Sequence, residues 1–94
     1  MRPEFAPFQL ELRATAVKQL GKLSDLDAER INHALERMAE LGIGDIKDVG
    51  DDYPGKFRLR VGKLRIYFDL NDKIIDIKAL EKRGEAYKRR SRNK

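Results

Sequence analysis

The sequence contains no cysteine and no tryptophan, and only one of its 94 residues is a histidine. The lack of cysteine excludes disulfide bonds and thiolate metal sites, and a single histidine excludes a His-rich metal site. No run of about 18 apolar residues occurs, nor does an apolar N-terminal stretch of signal-peptide length. We therefore expect a cytoplasmic protein with no membrane contact, no metal and no other cofactor.

Charged side chains are abundant, and the positive ones outnumber the negative ones. Lys and Arg total 21 and Asp and Glu total 16, which gives a net charge of +5. A chain that is 40% hydrophobic and regularly patterned is too apolar to be disordered. We predict one domain over residues 1–94, with flexible ends at 1–7 and 89–94. The positive charge favours nucleic acid or an acidic protein as a partner.

Residues 56–70 alternate between polar and apolar on both sides of Gly62 and Lys63, which predicts an antiparallel hairpin. Successive side chains in a strand point to opposite faces, so the apolar ones share the face toward the core. These are Phe57, Leu59, Val61, Leu64, Ile66, Phe68 and Leu70. The other face carries Lys56, Arg58, Arg60, Lys63, Arg65, Tyr67 and Asp69. A surface with this many cations attracts polyanions.

Three segments before the hairpin also show regular patterns. Residues 8–12 alternate as a strand, and its inward side chains are Phe8, Leu10 and Leu12. The apolar residues of 16–23 and 28–41 recur at helical spacing. The first helix is predicted to be capped by Thr15 and to bury Val17, Leu20 and Leu23. The second ends at Gly42 and buries Ile31, Ala34, Leu35, Met38 and Leu41, while His33 lies on its surface.

The remaining segments complete an α+β fold. Residues 43–55 contain three glycines, four aspartates and a proline, which predicts a loop. Residues 74–80 alternate as a strand that places Ile75, Ile77 and Ala79 on one face, and a short helix is predicted over 85–90. The expected order is an N-terminal strand, a two-helix hairpin and a three-stranded antiparallel meander, packed as one sheet against the helices, and then a short C-terminal helix or tail.

Two stretches of this sequence resemble a known family. Residues 57–67 (FRLRVGKLRIY), followed by 82–87 (KRGEAY), are similar to the RelE/ParE superfamily of toxins from toxin–antitoxin modules. Residues 16–20 and the pair Arg30-Ile31 resemble the helical hairpin of that family, so the likeness spans about residues 8–88. Arg65 together with Arg83 and Tyr87 favours the RelE branch, because gyrase-inhibiting ParE toxins need no converging phosphate site.

The RelE resemblance implies a ribosome-dependent endoribonuclease that cuts mRNA in the A site and inhibits translation. In that reaction the RNA 2′-hydroxyl attacks the adjacent phosphate without a metal, leaving a 2′,3′-cyclic phosphate and a 5′-hydroxyl. The implied partners are a cognate antitoxin, in a hetero-oligomer, together with mRNA and the ribosome with its rRNA. Two alternatives remain open: a ParE-like inhibitor of DNA gyrase without nuclease activity, and a non-catalytic RNA-binding relative.

The resemblance also implies site residues. Arg65, Arg83 and Tyr87 match catalytic positions, because guanidinium groups stabilise a pentavalent phosphorane and a tyrosine stacks on a base or polarises the 2′-hydroxyl. The implied RNA- or phosphate-binding residues are Arg58, Arg60, Lys56, Lys63 and Lys88. Glu81 or Glu85 is the hypothetical general base. Several RelE toxins have a basic residue where this chain has Glu81-Lys82, and a carboxylate there weakens phosphate binding unless it acts as the base or points away.

Overall fold

The computed structural model describes residues 1–82, which form two helices on one face of a five-stranded sheet. The helices are α1 (Ala14–Gly21) and α2 (Asp25–Leu41), and the strands are β1 (Gln9–Leu12), β2 (Ile46–Asp48), β3 (Phe57–Val61), β4 (Leu64–Asn71) and β5 (Ile74–Lys82). The strand order is β1-β5-β4-β3-β2, with β1 parallel to β5 and every other pair antiparallel. The α+β prediction is confirmed, while the helix expected at 85–90 lies outside the described residues.

The core lies between the helices and the inner face of the sheet. Ile31, Leu35 and Met38 of α2 pack there against inner-face side chains such as Leu59, Ile66, Phe68, Ile75 and Ile77. Among residues 1–82, no helix is long and apolar enough to cross a membrane.

Helix α2 begins three residues before its predicted start, because Ser24 caps it. The Asp27 N–H donates to Ser24 Oγ at 3.1 Å, which satisfies one of the free donors of the first turn. Gly42 ends the helix in the left-handed region, with φ of 69°, as predicted. Leu41 was wrongly predicted to be buried: it is 52% exposed, because it lies in the last turn beyond the sheet-facing stripe.

Of the three side chains predicted to face inward from α1, Leu20 and Leu23 pack against the core and Val17 does not. It begins at Ala14, so Thr15 lies inside it and is not the N-cap. Ala16 is fully buried, whereas Val17 is 54% exposed. The small Ala16 allows α1 to approach β5, where Gln19 Oε1 accepts the Leu80 N–H at 2.7 Å. Helix α1 thereby covers the edge of β5 beyond the point where β1 ends.

The N-terminal segment is more structured than an extended lead-in. Pro3–Phe5 form a short 3-10 turn, and Pro3 packs so closely on Gly42 that a Cβ there would lie 2.7 Å from the Pro3 Cα. Phe8 is buried, as predicted. Leu12 is 36% exposed, against prediction, since β1 is an edge strand that ends at this residue.

A β-bulge in β5 changes which residues of that strand face the core. Tyr67 pairs with Ala79 but Phe68 pairs with Ile77, so Lys78 is an extra residue. Ile75 and Ile77 face inward, as predicted, but the bulge turns Ala79 to the outer face and Leu80 to the core. Simple alternation could not show this insertion.

A short strand lies where the sequence predicted a loop. In β2, Ile46 pairs with Leu59, Lys47 with Arg58 and Asp48 with Phe57. Three residues are too few for an alternation pattern to be recognised, and the surrounding glycines and aspartates indicate turns. Strand β2 widens the predicted four-stranded sheet to five strands.

Ion pairs hold the outer side of the β1–β5–β4 junction. Arg13 donates to both oxygens of Asp76, with Nε to Oδ1 at 2.9 Å and Nη2 to Oδ2 at 2.8 Å. Lys78 Nζ lies 3.4 Å from Asp76 Oδ2 and 3.6 Å from Asp69 Oδ2. Mainly through the Arg13 hydrogen bond, and with help from Lys78, the pKa of the buried Asp76 carboxyl falls below its usual value although burial acts in the opposite direction.

We expect Asp76→Asn to lower the free energy of unfolding by about 1–3 kcal/mol, because the buried carboxylate that accepts two hydrogen bonds from Arg13 is replaced by a neutral amide. Since folding lowers the Asp76 pKa, its contribution is complete above the ordinary value of 3.8 and is lost as pH falls through the lower folded value. Urea unfolding at pH 7 and at pH 2 measures this. Asp51→Asn, an exposed control, should change stability by less than about 0.5 kcal/mol. A deficit for Asp76→Asn that is as large at pH 2 as at pH 7 would contradict the assignment.

Gly55 lies directly against the backbone of β4. A Cβ at this position would be 2.6 Å from Phe68 N and 2.7 Å from Phe68 O. Gly55→Ala should therefore destabilise the protein by about 1–3 kcal/mol, since strand backbone must move. Gly21→Ala meets no atom within 4 Å and should stabilise α1 by up to about 1 kcal/mol. Thermal unfolding of the two variants tests the opposite signs, and equal melting temperatures would refute the contact.

Candidate nucleic-acid interface

A cleft on the outer face of the sheet gathers basic and aromatic side chains. We call it the outer cleft; its volume is about 200 Å³ and it is lined by Lys47, Val49, Tyr53, Arg58, Arg65 and Tyr67. Lys47, Arg58 and Tyr67 form one row across β2, β3 and β4, because Arg58 pairs with both of the others. Arg65 lies two residues before Tyr67 on the same face. The sheet register therefore brings three cations from three strands together.

Two stacked tyrosines form one wall of the outer cleft. The rings of Tyr53 and Tyr67 are nearly parallel, at 8°, with centroids 5.4 Å apart. Tyr67 is on the outer face, as predicted, but it is only 1% exposed because Tyr53 covers it. Its hydroxyl donates to Glu81 Oε1 at 3.0 Å. Both aromatic side chains are thus fixed in position at the edge of a cationic surface.

Arg58 is a mostly buried cation with an unused donor. Its side chain is 15% exposed, and Nη2 lies 3.5 Å from Asp45 Oδ1. Within residues 1–82, its buried Nε has no hydrogen-bond partner. Burial of an unpaired donor costs about 1–3 kcal/mol, and more for a charged group. An anion in the outer cleft could supply the missing acceptor.

The structure brings together only some of the site residues expected from the sequence. Arg58 and Arg65 share the outer cleft. Arg60 is opposite Arg65 on the same face, but it is exposed and its Nε lies 3.9 Å from Asp45 Oδ2. Lys63 is at the hairpin turn and Lys56 is before the start of β3, so they lie beyond opposite ends of that strand. Arg83, Tyr87 and Lys88, with Glu85, lie outside the described residues.

The bulge gives Glu81 a place on the outer face. Glu81 pairs with Arg65 across the β4–β5 ladder and accepts the Tyr67 hydrogen bond. This strand continues to Lys82, two residues past the predicted end at Leu80. The carboxylate therefore lies beside the cationic cluster.

Lys47, Val49 and Tyr53 were not expected in this site. All three come from the segment that the sequence predicted as a loop. The available signals were Tyr53, which stands among aspartates and glycines, and Lys47, which lies between apolar Ile46 and acidic Asp48. In the part of the chain that the structure describes, no group of three or more His, Cys, Asp or Glu side chains could hold a metal ion.

Comparison with solved structures assigns the fold. The archaeal RelE–RelB complex from Pyrococcus horikoshii contains a chain 20% identical to this one, with a TM-score of 0.69, covering 86% of this chain and 100% of that one. The toxin–antitoxin complex RelBE2 from Mycobacterium tuberculosis gives 18% identity, a TM-score of 0.71, and coverage of 83% and 100%. The chain has the RelE-like fold. No protein-family model matches the RelE-like chain, and no curated protein matches it significantly.

Arg58→Met should stabilise the free RelE-like protein by about 1 kcal/mol. Methionine keeps much of the apolar stem but removes the buried, unsatisfied guanidinium donor. Arg60→Met is the matched control, because the 56% exposed Arg60 also faces Asp45, and we expect a change below about 0.5 kcal/mol. Urea denaturation measures both. A loss of stability in Arg58→Met would show that the guanidinium is a structural group.

Proposed function

We propose that this RelE-like chain is the toxin of a toxin–antitoxin pair and cleaves mRNA on the ribosome. The observation that carries the proposal is the buried Arg58 guanidinium with an unsatisfied Nε, in a cleft shared with Lys47 and Arg65. Such a cluster is suited to a phosphodiester, since guanidinium groups bind phosphate oxygens in pairs. The two RelE-like structures, both solved as complexes of toxin and antitoxin, support it.

The proposed reaction is an in-line transesterification. The 2′-oxygen forms a bond to the adjacent phosphorus, its proton leaves to a base, and the bond to the 5′-oxygen breaks, which gives a 2′,3′-cyclic phosphate and a 5′-hydroxyl. Arg58 and Arg65 are diagonal neighbours on adjacent strands, a separation of about 7–8 Å. Their side chains can therefore contact one phosphate and stabilise the extra negative charge of the phosphorane.

The proton acceptor that we propose is Glu81. It is the carboxylate that the sheet ladder places opposite Arg65, and the Tyr67 hydroxyl orients it. The protonated carboxyl group, or water, then returns a proton to the leaving 5′-oxygen. Arg83 and Tyr87 keep their proposed catalytic roles, and Arg60, Lys56, Lys63 and Lys88 their roles in binding flanking phosphates.

The proposed partners follow from charge. A protein of net charge +5 with a cationic cleft is complementary to mRNA and rRNA and to an acidic antitoxin segment. We propose that a cognate antitoxin forms a hetero-oligomer with this chain and covers its basic surface. Both the ribosome and this complex would be cytoplasmic.

Stalled ribosomes that carry a defined mRNA test this function, with cleavage mapped by primer extension. The protein should cut within the A-site codon, and Arg65→Ala should reduce the rate by about 10²–10³-fold because a transition-state charge contact is lost. Lys73→Ala, in the turn at the far end of the sheet, should cut like the unaltered protein. Intact mRNA beside an active control nuclease would refute the proposal, and inhibition of gyrase supercoiling would then support the ParE-like alternative.

A further inference from the structure

A second cationic cavity lies at the tip of the β3–β4 hairpin, away from the outer cleft. We call it the tip pocket; its volume is about 190 Å³ and it is lined by Asp27, Arg30, Val61, Lys63, Leu64 and Lys82. Its cations come from α2, from the hairpin turn and from the end of β5. None of these residues lines the outer cleft. The fold thus brings three distant parts of the sequence to one place.

The charge of the tip pocket is not balanced within the described chain. Three cations face one carboxylate, and the Arg30 Nη1 to Asp27 Oδ1 distance is long, at 3.9 Å. Among residues 1–82, neither Lys63 nor Lys82 has a carboxylate within 4.0 Å. The three cations are exposed to water, and the buried Leu64 forms part of the apolar wall beside them. A bound anion would balance the excess positive charge.

The backbone holds the tip pocket in place. Lys63 is the second residue of a two-residue turn after Gly62, whose φ of 60° is readily adopted by glycine. Lys82 pairs with Leu64 in the sheet ladder. Arg30 and Asp27 lie one helical turn apart near the N-terminus of α2, whose positive end adds to the potential. The backbone positions from which the three cations extend are therefore fixed by the sheet and by α2.

We propose that the tip pocket binds a backbone phosphate of RNA, separately from the phosphate in the outer cleft. Lysines suit this role because they act as point charges toward phosphate. Val61 and Leu64 belong to the inner face, whereas the outer cleft is on the other face. An RNA strand that contacts both sites passes over the hairpin tip beside Arg60 and Arg65. The identity of the polyanion rests on the proposed function.

The test is the salt dependence of RNA binding. The probe is a fluorescein-labelled, fully 2′-O-methylated 12-nucleotide single strand, which cannot be cleaved, and fluorescence anisotropy gives its Kd between 50 and 300 mM NaCl. Lys63→Gln and Lys82→Gln should each lower the slope of log Kd against log salt by about 0.7, the value for one phosphate contact. At 0.1 M NaCl this corresponds to about fivefold weaker binding.

Lys73→Gln is the matched control for Lys63→Gln. Both residues occupy the second position of a two-residue turn, and both changes remove one positive charge. If the two variants weaken binding equally, the effect is only net charge and the proposal fails. Lys73→Gln should instead keep the slope of the unaltered protein.

Asp27→Asn provides a test of opposite sign. Among residues 1–82, Asp27 is the one carboxylate that lines the tip pocket, so RNA should bind the variant a few times more tightly. Asp25→Asn is the control, because it removes the same negative charge from the same helical turn, but Asp25 does not line the pocket. Tighter binding in Asp27→Asn alone supports the proposal, and equal changes in the two variants overturn it.

Inorganic phosphate has the same charged oxygens as an RNA backbone phosphate, so it is the alternative ligand for the tip pocket. Titration with inorganic phosphate at constant ionic strength, followed by amide chemical shifts of residues 61–64, distinguishes it from RNA. Shifts with phosphate alone, beside unchanged RNA slopes, would overturn the assignment to RNA. A changed slope without cleavage on the ribosome would refute the proposed nuclease and leave the tip pocket standing. Cleavage with unchanged slopes would refute the tip pocket, and with it the flanking-phosphate role of Lys63, but not the nuclease.

Discussion

The β-bulge at Lys78 is the constraint on which the arrangement of the sheet depends. The extra residue shifts the β4–β5 register between Phe68 and Tyr67, so Leu80 enters the core and Glu81 faces outward opposite Arg65. Lys78 itself reaches Asp69 and Asp76, and these charges hold the bulged residue on the outer side. This one inserted residue therefore both places Leu80 in the core and places the Glu81 carboxylate beside the outer cleft. Bulges commonly redirect side chains beside functional sites in this way.

The outer face of the sheet divides into a balanced half and an unbalanced half. At the β1 end, Arg13 and Lys78 neutralise Asp76 and Asp69 at short distances. At the β2 end, Lys47, Arg58 and Arg65 gather around a cleft, with Asp45 at 3.5 Å from Arg58 and Glu81 opposite Arg65 in the sheet ladder. The first half stabilises the fold, whereas the second keeps a desolvated guanidinium without full compensation. A protein that gives up stability in this way at one place commonly gains a binding site there.

Long periodic segments predicted their structure well. The hairpin around Gly62 and the buried stripe of α2 (Ile31, Leu35 and Met38) were predicted correctly, because their apolar residues recur at the spacing of a strand and of a helix. The predictions for Val17 in α1 and for Ala79 in β5 were wrong, because Ala16 faces the core in place of Val17 and the inserted Lys78 turns Ala79 outward. Arg58 and Arg65 could be expected together from strand alternation. Lys47 and Tyr53 could not, because their positions depend on a three-residue strand and a 3-10 turn that tertiary pairing creates.

The parallel pairing of β1 with β5 has a consequence for synthesis. Arg13 and Asp76 are separated by 63 positions in the chain, so β1 is synthesised long before β5, the strand with which it pairs. The β3–β4 hairpin forms from local contacts, whereas β1 and the covered edge of β5 must wait for nearly the whole described chain, and such non-local pairings form slowly. A nascent chain that has not yet produced β5 lacks both the bulge and Glu81. The proposed nucleic-acid surface is thus completed late, after the polypeptide has largely emerged from the ribosome on which we propose that it acts.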